Sequence, residues 1–559
     1  MRVVSINVTH DSSVCSLVDG KIEFYCKEER LSREKRCSDP FLALQTYKNQ
    51  NFGKIDHFLY LIPSGIYTPE YYFYNEYVKR LFNHELEDFS TSNHHNCHAS
   101  IAFYNSGFSQ ALVFVIDRMA SSVSIQDEPV AAESESVYIA SYPDNIIPIH
   151  KSFIVLDENK KYEINNFLKE NYKNSNVKIK VNNPYGIVKV YEAATTLIGQ
   201  HALENGKTMG LSSYGENLNY RPLFLGGTPI RNYFSEINTS WNIPNASCFY
   251  GYENKIEKNI TKENYQFYAN KAKHVQIETQ NEVLKLISKY VKKTGIDKVC
   301  LVGGYGLNVV ANSFYIKNLP EVKFYFEPLS DDSGITIGAC MLKYRQETKD
   351  KNIYTLKNNF YHYYNIDNKI FGEGKTISDL VDILINQKII AIFEGNPEAG
   401  PRALGHRSLL FDPRNENGKE IVNTLKNREW YRPFAGIILE DQFSNYFDTI
   451  GLGKSEYMTI NFDAKPGVEN YVPSIIHVDN TCRIQTVSKD NSFLFKLLSE
   501  FYEKTGCPML LNTSFNLAGQ PLVQTKQDAI EFLIKSKHNK FFGGVYFVDD
   551  ESLLTNETN

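Results

Sequence analysis

ALVFVID, residues 111–117, sets six apolar residues before an aspartate, and KVCLVGG, residues 298–304, sets an apolar run before Gly-Gly. Near-continuous apolar runs of this length read as strands buried on both faces of an α/β sheet. In such folds, sites gather just beyond the carboxyl edge of the strands, where Asp117, Gly303 and Gly304 stand. Upstream, VVSINV (3–8), THDSS (9–13), VCSLVDG (14–20) and KIEFYCKEER (21–30) read as strand, turn, strand and strand. VYEAATTLIGQHAL (190–203) and QNEVLKLISKYVKKTG (280–295) carry helical spacing, and the second ends in Lys-Lys and Gly as a helix C-terminus does.

The chain has 559 residues, more than one hydrophobic core usually organises, so two domains are expected. Residues 344–369 are polar, aromatic and without clear period, and ISDLVDILINQK (377–388) with IIAIFEG (389–395) opens a new helix–strand unit beyond them. This predicts a first domain over 1–355, a linker over 356–374 and a second α/β domain over 375–559. Residues 217–275, rich in Asn, Tyr and Lys, read as an insertion or lid, and no internal repeat is visible in the sequence.

Hydrophobic residues make up 42% and charged residues 22%, the balance of an ordinary globular protein. A net charge of -5 from 60 basic and 65 acidic residues argues against an extended nucleic-acid surface, which needs clustered Lys and Arg. Nine cysteines without a CxxC pair, no signal-peptide pattern and no long apolar run together lead us to expect a cytoplasmic chain with reduced thiols and no membrane span.

HHNCHAS, residues 94–100, places His94 and His98 four apart, on one face of a helix and able to share an ion. Asp117 ends a strand, and Asp332 lies in LSDDSGITIG (329–338) before a Ser-Gly step that favours a tight turn. Two imidazoles and two carboxylates suit iron, manganese or zinc better than magnesium. Cys97 points to another helix face. Gly303 and Gly304, with Asn308 just beyond, Asp11 and Ser12 in THDSS, and Lys207 in GKTMGLSSYG are candidate nucleotide contacts; the last lacks P-loop spacing. For each, the plain alternative is a structural turn.

In the second domain, EAGPRALGHRSLLFDPR (398–414) and LKNREWYRPFAG (425–436) gather Arg402, Arg407, Arg414, Lys426, Arg428 and Arg432 with few acidic partners. Forked guanidiniums so placed point to an oligophosphate or carboxylate ligand. Arg483, Asn512, Thr513 and Ser514 supply further donors.

Taken in order, HHNCHASIAFYNSGF, GKTMGLSSYG, GGYGLNVVAN, DDSGITIGA, GPRALGHRS, KNREWYRPF, HVD and LLNTSFN resemble the O-carbamoyltransferases of the NodU and CmcH type over residues 2 to about 548. The resemblance implies an N-terminal domain of the actin-like ATPase (ASKHA, Kae1-like) fold and a C-terminal YrdC-like α/β domain. It implies that the second domain takes carbamoyl phosphate and ATP, with Mg²⁺, to carbamoyl-AMP and pyrophosphate. The first would then transfer the carbamoyl group to an acceptor hydroxyl at a site holding Fe(II) or another divalent transition metal. By motif, His94, His98, Asp117 and Asp332 match the metal site, while Arg402, Lys426, Arg432, Arg483 and Ser514 match the carbamoyl-phosphate and adenylate site. The catalytic base is expected at His95 or His10. Arg118 replaces the glycine that commonly follows Asp117 in the family, and His406 replaces an asparagine.

Three functions follow: carbamoylation of a small metabolite such as a sugar or antibiotic precursor, the same chemistry on a hydroxymethylated pyrimidine in DNA or another nucleic-acid base, or a non-catalytic ATP-binding protein. A homodimer is among the expected assemblies.

Overall fold

The computed structural model describes residues 1–62, 69–89, 93–126, 128–156, 158–182, 185–229, 237–238, 243–244, 260–353 and 372–556. Most of the expected linker, and much of the expected insertion, lie outside these residues. By contacts the chain divides into two units, Met1–Glu28 with Cys37–Asn359, and Glu29–Arg36 with Phe360–Asn559. Both are α/β.

In the first unit, strands β1 (Arg2–Asn7), β2 (Ser13–Val18), β3 (Lys21–Lys27), β4 (His57–Leu61) and β5 (Glu87–Asp88) form a sheet in the order β3-β2-β1-β4-β5. The first three are antiparallel, and β1, β4 and β5 are parallel. A second sheet repeats the plan with β6 (Gln110–Ile116), β8 (Glu128–Ser141) and β9 (Asn145–Val155) antiparallel, and the strands Lys298–Val302 and Lys323–Phe326 parallel to β6. A short β7 (Ser122–Ile125) pairs with β8, and β10 (Lys178–Asn182) extends the β9 edge. The fold is therefore duplicated where the sequence shows no repeat, because strand order is set by burial and connection and not by residue identity. A doubled sheet of this order is the actin-like plan.

The segment His94–Asn105 forms a helix of which every residue except Asn96 is buried, covered by β6, by Lys298–Val302 and by the helix Ile335–Thr348. A helix covered all round carries no hydrophilic stripe. Its approach to the helix Ile335–Thr348 depends on Gly338, where a Cβ would stand 1.9 Å from the carbonyl oxygen of Cys97. The helix expected over 280–295 is the end of a longer one, Tyr265–Thr294, closed by Gly295 at φ 71°. The insertion therefore ends before Tyr265, and the helix Ile335–Thr348 likewise absorbs the first residues of the stretch read as structureless from 344.

The second unit is built on a nine-stranded mixed sheet whose centre is Ile389–Phe393, Arg407–Phe411, Met509–Ser514 and Ala435–Leu439. The helix Ile377–Ile385 that opens it starts on a capping box between Thr376 and Asp379. Among the described residues no helix is long and apolar enough to cross a membrane.

Gly338→Ala is expected to drive the two packed helices of the first unit apart and cost about 3 kcal/mol, at the upper end of overpacking effects. Chemical denaturation of the full chain measures it; a loss under about 0.5 kcal/mol would show the contact to be soft.

Candidate metal centre and anion site

Four side chains meet at the carboxyl edge of the first unit's sheets. His94 and His98 come from the first two turns of their helix, Asp117 follows β6, and Asp332 opens the turn before the helix Ile335–Thr348. One ligand atom from each lies within 4.8 Å of all the others. His94 Nε2 is 3.5 Å from Asp117 Oδ2 and 3.6 Å from Asp332 Oδ1, while His98 Nε2 is 4.0 Å and 3.5 Å from the same two oxygens. These separations are long for hydrogen bonds and ordinary for donors around one ion. Both nitrogens of both rings are buried without a hydrogen-bond partner. A nitrogen and oxygen donor set with orphaned imidazoles fits a divalent transition metal.

The electrostatics agree. Burial works against charge, yet Asp332 and Asp117 hold the His94 imidazolium up at about 10. Despite burial, His94 draws Asp117 down to about 2 and Asp332 well below the carboxylate range. Two buried carboxylates persist only with positive charge among them.

The surrounding shell holds residues that the sequence reading passed over or assigned otherwise. The amide of Gly304 donates to Asp117 Oδ1 at 3.1 Å, and Gly303, at φ 88°, lets the chain pass where a Cβ would stand 2.5 Å from the Ile116 carbonyl. The Gly-Gly step, expected as a nucleotide contact, thus orients a candidate metal ligand. Asn7, at the end of β1, donates to Thr9 Oγ1, to the Asp11 carbonyl and to the Asp332 carbonyl at 3.0 Å, fastening both loops together. Its place at a strand's carboxyl end was the signal for it.

His10 lies beside the cluster, with Nδ1 2.7 Å from Asp11 Oδ2 and Nε2 3.8 Å from Asp332 Oδ2. Burial pulls this imidazole down, but Asp11 and Asp332 outweigh it and hold it at about 9. Its side chain is 31% exposed, so a substrate can reach it. His95 is the opposite case and corrects the sequence reading. One residue along a helix turns a side chain by about 100°, and His95 points at β8, fully buried, with Nδ1 2.9 Å from Ser136 Oγ and 3.4 Å from Glu133. It cannot meet an acceptor.

Three nucleotide candidates are also corrected. The Ser12 hydroxyl is buried and donates to the Asn7 carbonyl. Asn308 caps the helix Val309–Asn318 and donates to Gln276. Lys207 bonds Gln200 and Glu204 on its own stretch of chain. Arg118 pairs with buried Glu192 at 2.8 Å, so its guanidinium has a protein carboxylate to answer.

The second unit brings Arg402, Lys426, Arg428, Arg432 and Arg483 together. Burial lowers Arg402, Lys426 and Arg428 far below their ordinary range and Arg483 to about 10, and the repulsion of neighbouring cations lowers all four further. Glu429, 3.4 Å from Arg432, is the acidic neighbour, and it offsets only part of that charge. Lys426, on the helix Gly418–Lys426, reaches Ser514 and Asn516, with Nζ 2.8 Å from the Asn516 carbonyl and 3.3 Å from Ser514 Oγ. Several cations brought together, with each other's charge lowering their pKa values, suit a polyanion.

Glu398, overlooked in the sequence, shapes the loop: its Oε1 accepts from the amides of Leu404 and His406 at 2.6 and 2.9 Å. His406 lies against the Glu394 carbonyl, on the same support. Asn512, expected to contact ligand, instead holds the loop through the Ala403 carbonyl at 3.0 Å. Arg407 is wholly buried over the Phe393 ring and donates to four backbone carbonyls, so it is a structural staple and no ligand contact. Arg414 is bound by Asp412 through two of its nitrogens.

Purified after growth with iron, zinc and manganese, the full chain should carry about one transition metal per chain by elemental analysis. His98→Ala and Asp117→Asn should lose it and Arg402→Ala keep it; metal retained in His98→Ala would contradict the assigned donor set.

The chain matches the family models described as carbamoyltransferase N-terminus, over residues 44–341, and carbamoyltransferase C-terminus, over residues 381–549. An uncharacterized protein of Methanocaldococcus jannaschii is 32% identical over 388 residues, covering 64% of this chain and 71% of the relative. Nodulation protein NolO of Bradyrhizobium diazoefficiens is 26% identical over 490 residues, with 82% and 78% covered. A solved full-length HypF in its phosphate- and nucleotide-bound form aligns over 62% of this chain and 56% of its own, at 13% identity and a TM-score of 0.36. The non-catalytic reading of the sequence gives way here, because two family models cover both units: the chain belongs to the carbamoyltransferase family and is a transferase.

Proposed function

We propose that the chain is an ATP-dependent O-carbamoyltransferase whose two units divide the chemistry, residues 1–355 carrying transfer and residues 375–559 carrying activation. The observation that carries this reading is the convergence of Arg402, Lys426, Arg428, Arg432 and Arg483, a set of charges that suits a polyanionic ligand. Carbamoyl phosphate and Mg²⁺-ATP are such ligands. Water cleaves carbamoyl phosphate to carbamate and phosphate; a carbamate oxygen then attacks the α-phosphorus of ATP, giving carbamoyl-AMP and expelling pyrophosphate. The converging cations hold the phosphates in line and answer charge as it shifts onto the leaving pyrophosphate. Ser514 and Asn516 position Lys426 for this role.

In the transfer step, the acceptor's hydroxyl oxygen attacks the carbamoyl carbon, AMP departs, and the hydroxyl proton passes to His10 Nε2. Asp11 orients that ring through Nδ1, the arrangement of a base steered by a carboxylate. A divalent ion held by His94, His98, Asp117 and Asp332, Fe(II) among the candidates, would polarise the carbamoyl oxygen. His10 can take that proton only in its neutral form, a minority near neutral pH that grows as pH rises toward about 9. The need for ATP and carbamoyl phosphate places the reaction in the cytoplasm.

A small hydroxylated metabolite is the acceptor of this reading. A second reading, a hydroxymethylated base in DNA, draws on one feature: Lys178, Lys180 and Lys293 lie near enough to Lys289 to lower it beyond the effect of burial. Supplying labelled carbamoyl phosphate with sugars in one arm and hydroxymethylated DNA in another separates the two by where label arrives.

Incubated with carbamoyl phosphate and Mg²⁺-ATP, the full chain should release pyrophosphate, and Arg402→Ala should slow release by about 100-fold, the scale of losing one charge-stabilising donor. A chain that yields no pyrophosphate with any acceptor sinks the activation scheme.

A further inference from the structure

The helix Pro69–Phe82 follows β4 in the first unit and reads PEYYFYNEYVKRLF. Its inner side is set by buried Tyr74 and Val78, and by Tyr71, whose hydroxyl donates to the Leu86 carbonyl at 2.8 Å. An outer stripe runs through Glu70, Phe73, Tyr77 and Arg80, with the three-four-three spacing by which one helix meets another. Glu70, Phe73 and Arg80 are exposed and Tyr77 is half-buried.

The middle of the stripe is aromatic and held in place. Phe73 and Tyr77 lie near parallel with ring centroids 6.5 Å apart, and Phe41, which opens the helix Phe41–Asn49, meets them edge-on at 6.0 and 5.2 Å. Phe73 nevertheless stays 55% exposed, and Leu42 beside Phe41 is 40% exposed. A fixed aromatic cluster left in water marks a contact surface. The ends of the stripe are charged. Nearby Lys79 is answered by Glu76 at 3.6 Å and Glu85 at 2.9 Å, whereas among the described residues neither Glu70 nor Arg80 has an opposite charge within ion-pair distance. Ten residues separate those two, about 15 Å along the axis, so they cannot answer each other within one helix.

We infer that this helix is the seam of a homodimer, packed antiparallel against the same helix of a second copy. The stripe is its own complement. Positions 70 and 80, and positions 73 and 77, are both centred on Asn75, so a two-fold axis at that level sets Glu70 against Arg80 of the second copy and Phe73 against Tyr77 of the second copy. One symmetry operation thus supplies two ion pairs and two aromatic contacts, and covers Leu42 at their margin. A partner of another kind would have to reproduce both the charge order and the ring spacing of this helix, which a second copy does by identity. The surface lies apart from the candidate metal ligands and calls for no ligand of its own.

Sedimentation equilibrium of the full chain tests this with five forms: wild type, Phe73→Ala, Glu70→Arg, Arg80→Glu, and the double variant Glu70→Arg/Arg80→Glu. Wild type should associate in the micromolar range to twice the 64.2 kDa of one chain. Phe73→Ala should weaken association by about tenfold or more, as loss of a central aromatic contact does. Each single charge reversal sets like charges opposite one another at two symmetric places and should weaken it by about tenfold. The double variant restores opposite charges across the seam and should return to within about threefold of wild type. Glu70 is in the first turn of its helix and Arg80 in the last, so the double reversal opposes the helix dipole more than either single change. A stability effect within one chain would therefore make the double variant the worst of the three, and only pairing between copies makes it the best. A wild-type chain that stays monomeric throughout the micromolar range would overturn the inference. So would a dimer unmoved by Phe73→Ala and by both single reversals, or one that the double reversal fails to rescue.

Discussion

Charges of one sign cannot share a water-poor site unless an opposite charge is brought to them, and this constraint organises both halves of the chain. In the first unit, buried Asp117 and half-buried Asp332 lie beside His94 and His98, whose nitrogens find no hydrogen-bond partner. In the second, five cations converge, with Glu429 offsetting part of their charge. The idealised cost of moving one such ion from water to a dry interior is of order 20 kcal/mol, and several kcal/mol survive relaxation. Neither arrangement is a sensible way to build a stable core. On the proposed function, each is explained by what it would bind, a cation in one unit and a polyanion in the other. A carbamoyltransferase that first activates its donor needs both.

The scaffold holds these costly groups at the edge where it is stiffest. Each candidate ligand of the first unit follows a strand or opens a helix, and small residues set the spacing. Gly303 lets the chain cross Ile116 so that the next amide meets Asp117, and Gly338 lets the histidine helix lie against its neighbour. In the second unit the same work falls to polar side chains: Glu398 gathers the amides of the arginine loop, and Asn512 holds it from the sheet. Removing such a support moves a charged group by about an ångström, enough to cost catalysis heavily even when the fold survives.

Much of this was legible beforehand, for identifiable reasons. The α/β class followed from apolar runs ending in Asp or Gly, since burial on both strand faces leaves a composition trace. His94 and His98 were legible because helical periodicity converts spacing into geometry. The same periodicity should have excluded His95, which a turn of about 100° sends to Glu133 and Ser136. Arg402 and Arg407 are five residues apart in one motif, yet one faces the anion site and the other staples carbonyls. Only the path of the loop separates them, and composition does not encode it. Asn7 escaped notice because it acts on a group far away in sequence, and Glu398 because its partners are nearby backbone amides, which residue identity does not single out. The doubled sheet escaped for the related reason that strand order leaves no residue signature.

The central claim is that activation and transfer are separate events at separate sites within one chain. Comparing His94→Ala with wild type in two assays tests it: carbamoyl-phosphate-dependent pyrophosphate exchange for activation, and labelled carbamate on the acceptor for transfer. The account predicts exchange within about threefold of wild type and transfer reduced by about a thousandfold or more, the scale of losing a metal's contribution to the transition state. Loss of exchange in parallel with transfer, or transfer that survives the substitution, would contradict it.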